Sequence, residues 1–530
     1  MLVTNILMTN ILEMPVRTRK WWMLTVTCLS VIVVSLDLTI LNIALPAISA
    51  GLHAGTGDLQ WLVGAYSLVF AGVMLPAGML GDRFGRKGLL LAGLVVFLAA
   101  SLWCALSVSA GELIAARALM GLGAGIVFPL SLAVVSAAFG DDERPKAIGI
   151  LTAGIALGLP LGPVLGGVLL QHFSWHSVFW INVPAACVTL AAGAVLMPES
   201  RNPAAPPLDV LGALLAPGAV TCLVWGVING QEHGWTAPST WMLLAGSAVL
   251  LAAFLTREHH SANPVIDPAL FRDKRFTWGT AATIAVSVAL YAILFIFPQY
   301  LQSVLGDDPA SAGLRLLPMM GGLLAAGGVA GQAVRVAGTR LTVAAGLAVL
   351  AGGLAMLSQV HLATGYGVVA AGLALCGLGT GASMGAAIDT VMAAAGSGEA
   401  GIGASVNSAL RQAGGAITVA LLGGVLSTTY ARALRPALTA LPARDAAIAR
   451  ASITQAARLA GRLPSGGSAL RTAAGTAFLH GMSTVMLVCA AVAALAALAS
   501  LRYLPGRAAP GGAGSPQAPA AAAPDAGARR

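Results

Sequence analysis

The sequence predicts an all-α polytopic membrane protein, and three observations carry that prediction. Of 530 residues, 57% are hydrophobic and only 9% are charged, whereas a soluble domain carries about 25% charged residues. The apolar residues fall into about fourteen runs near the roughly 20-residue length that a spanning helix needs. The connections between the runs are mostly short, and basic residues gather at alternate ones. The runs cover approximately 22–48, 59–81, 88–108, 111–137, 145–170, 177–197, 209–229, 239–256, 277–303, 310–333, 341–360, 366–390, 403–430 and 474–503.

Charge placement orients the chain. Arg17, Arg19 and Lys20 precede the first segment; Arg83, Arg86 and Lys87 lie between the second and third; Arg144 and Lys146 lie between the fourth and fifth. Arg272, Lys274 and Arg275, then Arg335 and Arg340, then Arg502 and Arg507 continue the series. With an even number of spans, all fall on one side, which places both termini in the cytoplasm and the protein in the cell (inner) membrane. The connection 431–473 breaks the pattern: it is arginine-rich yet falls outside. Its stretch "ARDAAIARASITQAARLAGRL" is helical and amphipathic, which predicts a helix lying on the membrane surface. The N-terminus lacks the early basic region and small-residue cleavage site of a signal peptide, and Met8 and Met14 are alternative starts. The expected organisation is a cytoplasmic segment 1–20, a six-helix bundle 21–200, two inserted helices 201–260, a second six-helix bundle 261–505 and a disordered tail 506–530 rich in Pro, Ala and Gly.

Several function classes are excluded at this level. The six cysteines stand singly inside apolar runs without metal or redox spacing. The eight histidines form no HExxH, and no serine, carboxylate or metal constellation supports a membrane-embedded enzyme. No catalytic residue, metal or cofactor is therefore assigned. The net charge of +9 comes from bases beside apolar runs, so nucleic acid is not an expected partner, whereas the lipid bilayer is.

Four stretches carry chemistry. In "SLDLTILNIALPAI", Asp37 stands deep in an apolar run, where a carboxylate costs about 2.5–3.5 kcal/mol on insertion scales and usually faces a partner or cavity. In "LIAARALMGLGAG", Arg117 is the one base of its run and must pair or reach water. In "GMLGDRFGRKG", glycines at 78, 81, 85 and 88 bracket Asp82, Arg83, Arg86 and Lys87 in a short turn where Asp82 can cap backbone or pair with a cation. In "GILTAGIALGLPLGPVLGG", Gly154, Gly158, Gly162 and Gly166 recur every fourth residue and form a smooth strip for close helix packing, and Pro160 and Pro163 remove amide donors.

These stretches resemble signatures of the major facilitator superfamily, in particular its fourteen-spanner drug:proton antiporters. The Gly78–Lys87 turn is similar to the G-x-L-x-D-R-x-G-R-K loop, including Gly78, Asp82, Arg83, Gly85, Arg86 and Lys87. The resemblance implies that this loop latches the cytoplasmic side while the transporter faces outward. Asp37, with Thr39, Asn42 and Pro46, resembles the family's LDxTIVNVALP segment, whose acid is implicated in proton coupling or cation recognition. Arg117 resembles the arginine of R-x-x-Q-G-x-G-A, tied to proton transfer; Met120 stands where that signature has glutamine. Gly149, Gly158, Gly162, Pro163, Gly166 and Gly167 match the antiporter signature, which importers of the superfamily generally lack. Further similarity, such as "SWHSVFWINVPAA" at 174–186 with His176 in place of arginine, extends the match from about Arg19 to Tyr430 and, more faintly, over 476–504.

Residues 331–340 look like an eroded copy of the Gly78–Lys87 turn, which suits the major facilitator fold: two related six-helix bundles with two helices inserted. In the second bundle Asp389 and Arg411 are expected to meet across the turn between their segments, and Asn407 and Gln412, like Asn42 in the first, are candidates either to line a cavity or to serve as polar packing. The function these readings imply is export of drugs or other small amphipathic molecules by alternating access, driven by the proton gradient without a cofactor. Substrate and protons are the expected partners, with a periplasmic adaptor only in a Gram-negative host. A dedicated exporter of one metabolite or antibiotic is the alternative; proton-coupled import is disfavoured by residues 149–167. The glycine strip is expected to form a leak-resistant seam between the bundles.

Overall fold

The computed structural model of the chain describes residues 16–140, 142–201, 209–261, 268–439, 441–463 and 466–505. The tail from Gly506 and the alternative starts lie outside them. Among the described residues there is no strand, and fourteen helices are long and apolar enough to cross a membrane. In chain order these are α1 (Thr18–Leu52), α2 (Thr56–Phe84), α3 (Arg86–Leu106), α4 (Ala110–Ala138), α5 (Arg144–His172), α6 (Ser177–Leu196), α7 (Leu211–Gln231), α8 (Pro238–His260), α9 (Lys274–Val304), α10 (Pro309–Ala337), α11 (Thr339–Leu357), α12 (Tyr366–Ala394) and α13 (Gly403–Leu438). Two short helices follow, α14 (Ala443–Ala451) and α15 (Ile453–Ala460), before the last span, α16 (Gly467–Tyr503). Local chemistry sets many of the ends. Ser109 caps α4 by accepting from the Glu112 amide at 3.3 Å, and prolines occupy the first position of α8 and α10.

The two halves repeat one packing plan. In the first, α1 lies against α5 and α6, and α4 packs between α2 and α3. In the second, α9 lies against α13 and α16, and α12 packs between α10 and α11. Correspondence helix by helix is what an internal duplication produces. Val391 near the end of α12 and Val406 near the start of α13 share one apolar cluster with Phe276.

The inserted pair α7–α8 is pinned to itself and to the groove between the halves. Asp209 caps α7 through the Gly212 amide at 3.0 Å and pairs with Arg257 of α8 at 2.8 Å. Pro217 of α7 meets Gly72 of α2, and the Gln231 amide reaches the Ala420 carbonyl of α13 at 3.0 Å. Leu68, Val224, Val227, Ile228, Ala416 and Ala420 close the groove with a small apolar cluster.

Two expectations are corrected. The arginine-rich connection does not rest on a membrane surface as a free amphipathic helix. Its helix α15 buries Ile453, Ala456 and Ala460 against the protein, because the apolar face finds the ends of α1 and α9 within reach. The glycine strip of α5 is also not a seam between the bundles. Gly154, Gly158, Gly162 and Gly166 pack on Cys28–Ile43 of α1, inside the first half. A different face of α5, including Pro163, Val164 and Gly167, meets the second half at Pro309, Ala310 and Gly313 of α10.

Candidate functional site

The lone acid of α1 and the lone base of α4 meet. Arg117 Nη1 donates to Asp37 Oδ2 at 2.6 Å, with side-chain exposures of 2% and 0%. A pair this deep survives only when its remaining hydrogen-bonding capacity is also met. Arg117 Nε donates to the Leu62 carbonyl of α2 at 3.3 Å, and its Nη1 lies 3.5 Å from Met120 Sδ. The guanidinium sits over the Tyr66 ring, 4.2 Å from its centroid, a contact worth about 2 kcal/mol or more when desolvated. The ring is held there because α2 and α4 touch backbone to backbone at Gly121, where a Cβ would strike the Tyr66 carbonyl. Met120, standing in place of glutamine, thus supplies a soft contact rather than a relay.

Asp37 has a second partner that the sequence did not single out. Asn182 Nδ2 of α6 donates to Asp37 Oδ1 at 3.3 Å and lies 3.3 Å from Ser101 Oγ of α3, whose hydroxyl donates to the Phe179 carbonyl at 2.8 Å. Five helices of the first half therefore converge on one carboxylate–guanidinium pair. The clue available was positional only: Asn182 lies in the "FWINVP" stretch, where a neutral amide carries no insertion penalty large enough to stand out.

Two residues along α1, Thr39 answers the prolines of α5. Pro163 has no N–H, so the carbonyl of Leu159, four residues before it, has no intrahelical donor. The Thr39 hydroxyl lies 3.0 Å from that carbonyl and 3.1 Å from its own Leu36 carbonyl. Gly162 allows this approach, since a Cβ there would collide with Thr39 Oγ1. The helix consequently runs unbroken from Arg144 to His172 through both prolines. Gly149 is exposed, and a Cβ added there would meet nothing within 4 Å.

The turn between α2 and α3 is anchored within its own half. Asp82 pairs with Arg86 at 2.8 Å. Glu199, beyond the end of α6, accepts from the Lys87 and Gly88 amides at 3.1 and 3.2 Å, and Lys87 Nζ reaches the Ala194 carbonyl at 2.7 Å. Gly85 adopts φ of 120°, and Glu199 occupies the space a Cβ would need, so glycine is required twice over. Arg83 is exposed and lies over the Phe84 ring, and Gly78 has open space around it.

The halves are tied together at the opposite end of the molecule from this basic turn. The Gln302 amide of α9 donates to the Ile43 carbonyl of α1 at 2.9 Å. Gln455 of α15 donates to the Ser49 carbonyl at 2.6 Å, Arg458 reaches the Ala50 carbonyl, and Thr56 donates to the Ala451 carbonyl at 2.9 Å. A cavity of about 310 Å³ lies beside these ties, lined in part by Asp307, Arg458 and Arg471.

In the second half the polar residues of α13 face α9. The Asn407 amide oxygen lies 2.7 Å from Thr283 Oγ1, Gln412 Oε1 takes the Tyr291 hydroxyl, and Arg411 Nε donates to Ser287 Oγ at 3.4 Å. Leu68 of α2 shares an apolar cluster with Ala416 and Ala420 of α13, which brings α13 to the plane where the halves meet. The expected Asp389–Arg411 pair does not form. Asp389 is exposed near the end of α12, while Arg411 has turned inward, two helical turns along α13. Asn42 donates to the Leu38 carbonyl of its own helix at 3.1 Å. Among the described residues no cluster of His, Cys, Asp or Glu could hold a metal ion.

Comparison with known proteins gives a consistent result. A family model described as Major Facilitator Superfamily matches residues 27–419. The tetracenomycin C resistance and export protein of Streptomyces glaucescens is 32% identical over 486 residues, 90% of this chain and 90% of that protein. The multidrug resistance protein Stp of Mycobacterium tuberculosis is 34% identical over 417 residues, 78% of this chain and 77% of that protein. The crystal structure of a bacterial homologue of the human lysosomal transporter Spinster shares the fold, with a TM-score of 0.66 at 15% identity over 93% of this chain and 99% of that one.

Proposed function

Because the chain belongs to the major facilitator superfamily, a family of many-span membrane transporters of small molecules, we propose that it is a proton-coupled antiporter that exports drugs or other small amphipathic compounds. The observation that carries the coupling is the sealed Asp37–Arg117 pair. A carboxylate in a dry interior stays charged only while paired. Separating the guanidinium from Asp37 favours uptake of a proton, and restoring the pair favours its release. Taking the basic turn as the cytoplasmic side, the ties at the other end support an inward-facing reading, in which the pair is shut away from external protons. Opening the far end would admit a proton to Asp37, and the Asp82–Arg86 turn would then latch the cytoplasmic side.

The test is export from everted vesicles. Asp37→Asn should reach the membrane in normal amount yet abolish proton-driven dye efflux and substrate-induced proton flux. Undiminished efflux by that variant removes the coupling role. A second reading, export of a single antibiotic, is favoured by the similarity to a tetracenomycin C export protein. A panel of unrelated dyes and antibiotics separates the two: one accepted compound supports the dedicated exporter, several support multidrug export.

A further inference from the structure

Arg411 stands deep in the second half without an acid. Its Nε makes one long bond to Ser287 Oγ at 3.4 Å, near the outer limit of hydrogen bonding. Its other neighbours, Asn407, Gln412 and Tyr291, are neutral and engaged with one another or with Thr283. No carboxylate among the described residues pairs with it. A guanidinium cannot shed its charge, so it needs either a counter-charge or water. Asn407, Gln412 and Ser287 around it are buried while Arg411 itself is half-buried, so part of its side chain stays accessible although the residues around it are not. Tyr291 packs at Gly415, and the next residues of α13, Ala416 and Ala420, pack with Leu68 of α2, so Arg411 stands on the helix that meets the first half.

The geometry points to Arg411 as the anchor of a substrate subsite for an anionic group, such as a carboxylate or acidic phenolate, carried on an apolar ring system. The arginine fork suits a bidentate carboxylate, and the neutral frame leaves its charge unspent until substrate arrives. This rests on the transporter reading above, but adds a substrate class to it. The cation Arg117 cannot serve in the same way, because Asp37 already neutralises it.

The test is equilibrium binding to the purified full-length protein in detergent, which needs no proton gradient and so stands or falls separately from the coupling assay. Fluorescein and rhodamine 123 supply one ring system with opposite charge. Wild type is expected to bind fluorescein saturably. Arg411→Gln should weaken fluorescein about 10-fold or more relative to rhodamine 123, and Arg411→Lys should recover most of that ratio. Asn407→Asp, which sets a carboxylate one turn from Arg411, should shift the ratio in the same direction as Arg411→Gln. Absence of saturable fluorescein binding to wild type, or an unchanged ratio of the two affinities in Arg411→Gln, overturns the proposal.

Discussion

Arg117 and Arg411 both lie inside this transporter, and the protein treats them in opposite ways. Arg117 enters α4 about two turns from the end opposite the basic turn, where it has a carboxylate, a backbone carbonyl, a thioether and an aromatic face. Arg411 enters α13 about two turns from the basic side and has one distant hydroxyl. The first is a closed circuit in which removal of either member strands the other. The second is an open valence. The comparison shows that a guanidinium can be compensated inside the chain at one site and left without a counter-charge at the other.

The largest expected effect separates them on stability. Arg117→Met leaves Asp37 buried and unpaired and should lower unfolding stability by about 3–5 kcal/mol. Arg411→Met strands no charge and should change it by about 1 kcal/mol or less. Chemical unfolding of the two variants in the same detergent decides; equal losses would erase the distinction. Next come the amides. Asn182→Leu removes a bond to a charged acceptor and should cost about 1.5–3 kcal/mol, whereas Asn407→Leu removes one to a neutral hydroxyl and should cost about 0.5–1.5 kcal/mol. On α5, Gly162→Leu should overpack against Thr39 and Ile40 by about 1–3 kcal/mol and stop turnover, while Gly149→Leu, with open space around it, should be nearly silent in both readouts.

The smallest effect concerns the ion pair at the membrane edge. Burial pushes the Asp209 carboxyl up, but the Gly212 amide and Arg257 outweigh it and hold it below the usual carboxylate range. A depressed value means that its contribution is present above the ordinary value of about 4 and is lost as pH falls through the depressed one. Arg257 is 42% exposed, so solvent screens the pair and its contribution should stay below about 1 kcal/mol. Asp209→Asn should therefore flatten the acid limb of a stability–pH curve slightly and leave pH 7 export intact.

What could be read from sequence follows from which residues carry a large local penalty. Asp37 and Arg117 stand out because a charge in an apolar run is expensive wherever it points, but that they pair with each other was not legible from the sequence. Asn182 and Ser101 complete the same network yet look like ordinary polar residues of a helix. Their significance is set by contacts 145 and 81 positions away. The fourteen spans were legible from hydropathy. The destination of the 431–473 helices was not, because an amphipathic face fits a bilayer surface and a protein surface equally well. The Asp389–Arg411 expectation relied on closeness along the chain, and helical phase turned the two side chains to different surroundings.

Thr39 and Asp37 are two positions apart on α1, and this proximity makes α1 a lever. A rotation of α1 that withdraws Asp37 from Arg117 also draws the Thr39 hydroxyl off the Leu159 carbonyl, reopening the gap that Pro163 leaves in α5. Pro163 and Gly167 bear directly on Pro309 and Gly313, at the far-end contact between the halves. Under the proposed coupling, the same twist that frees a carboxylate to take a proton would loosen the hinge side of the closed door, so that chemistry at one residue and motion at the opposite face would share a single mechanical axis.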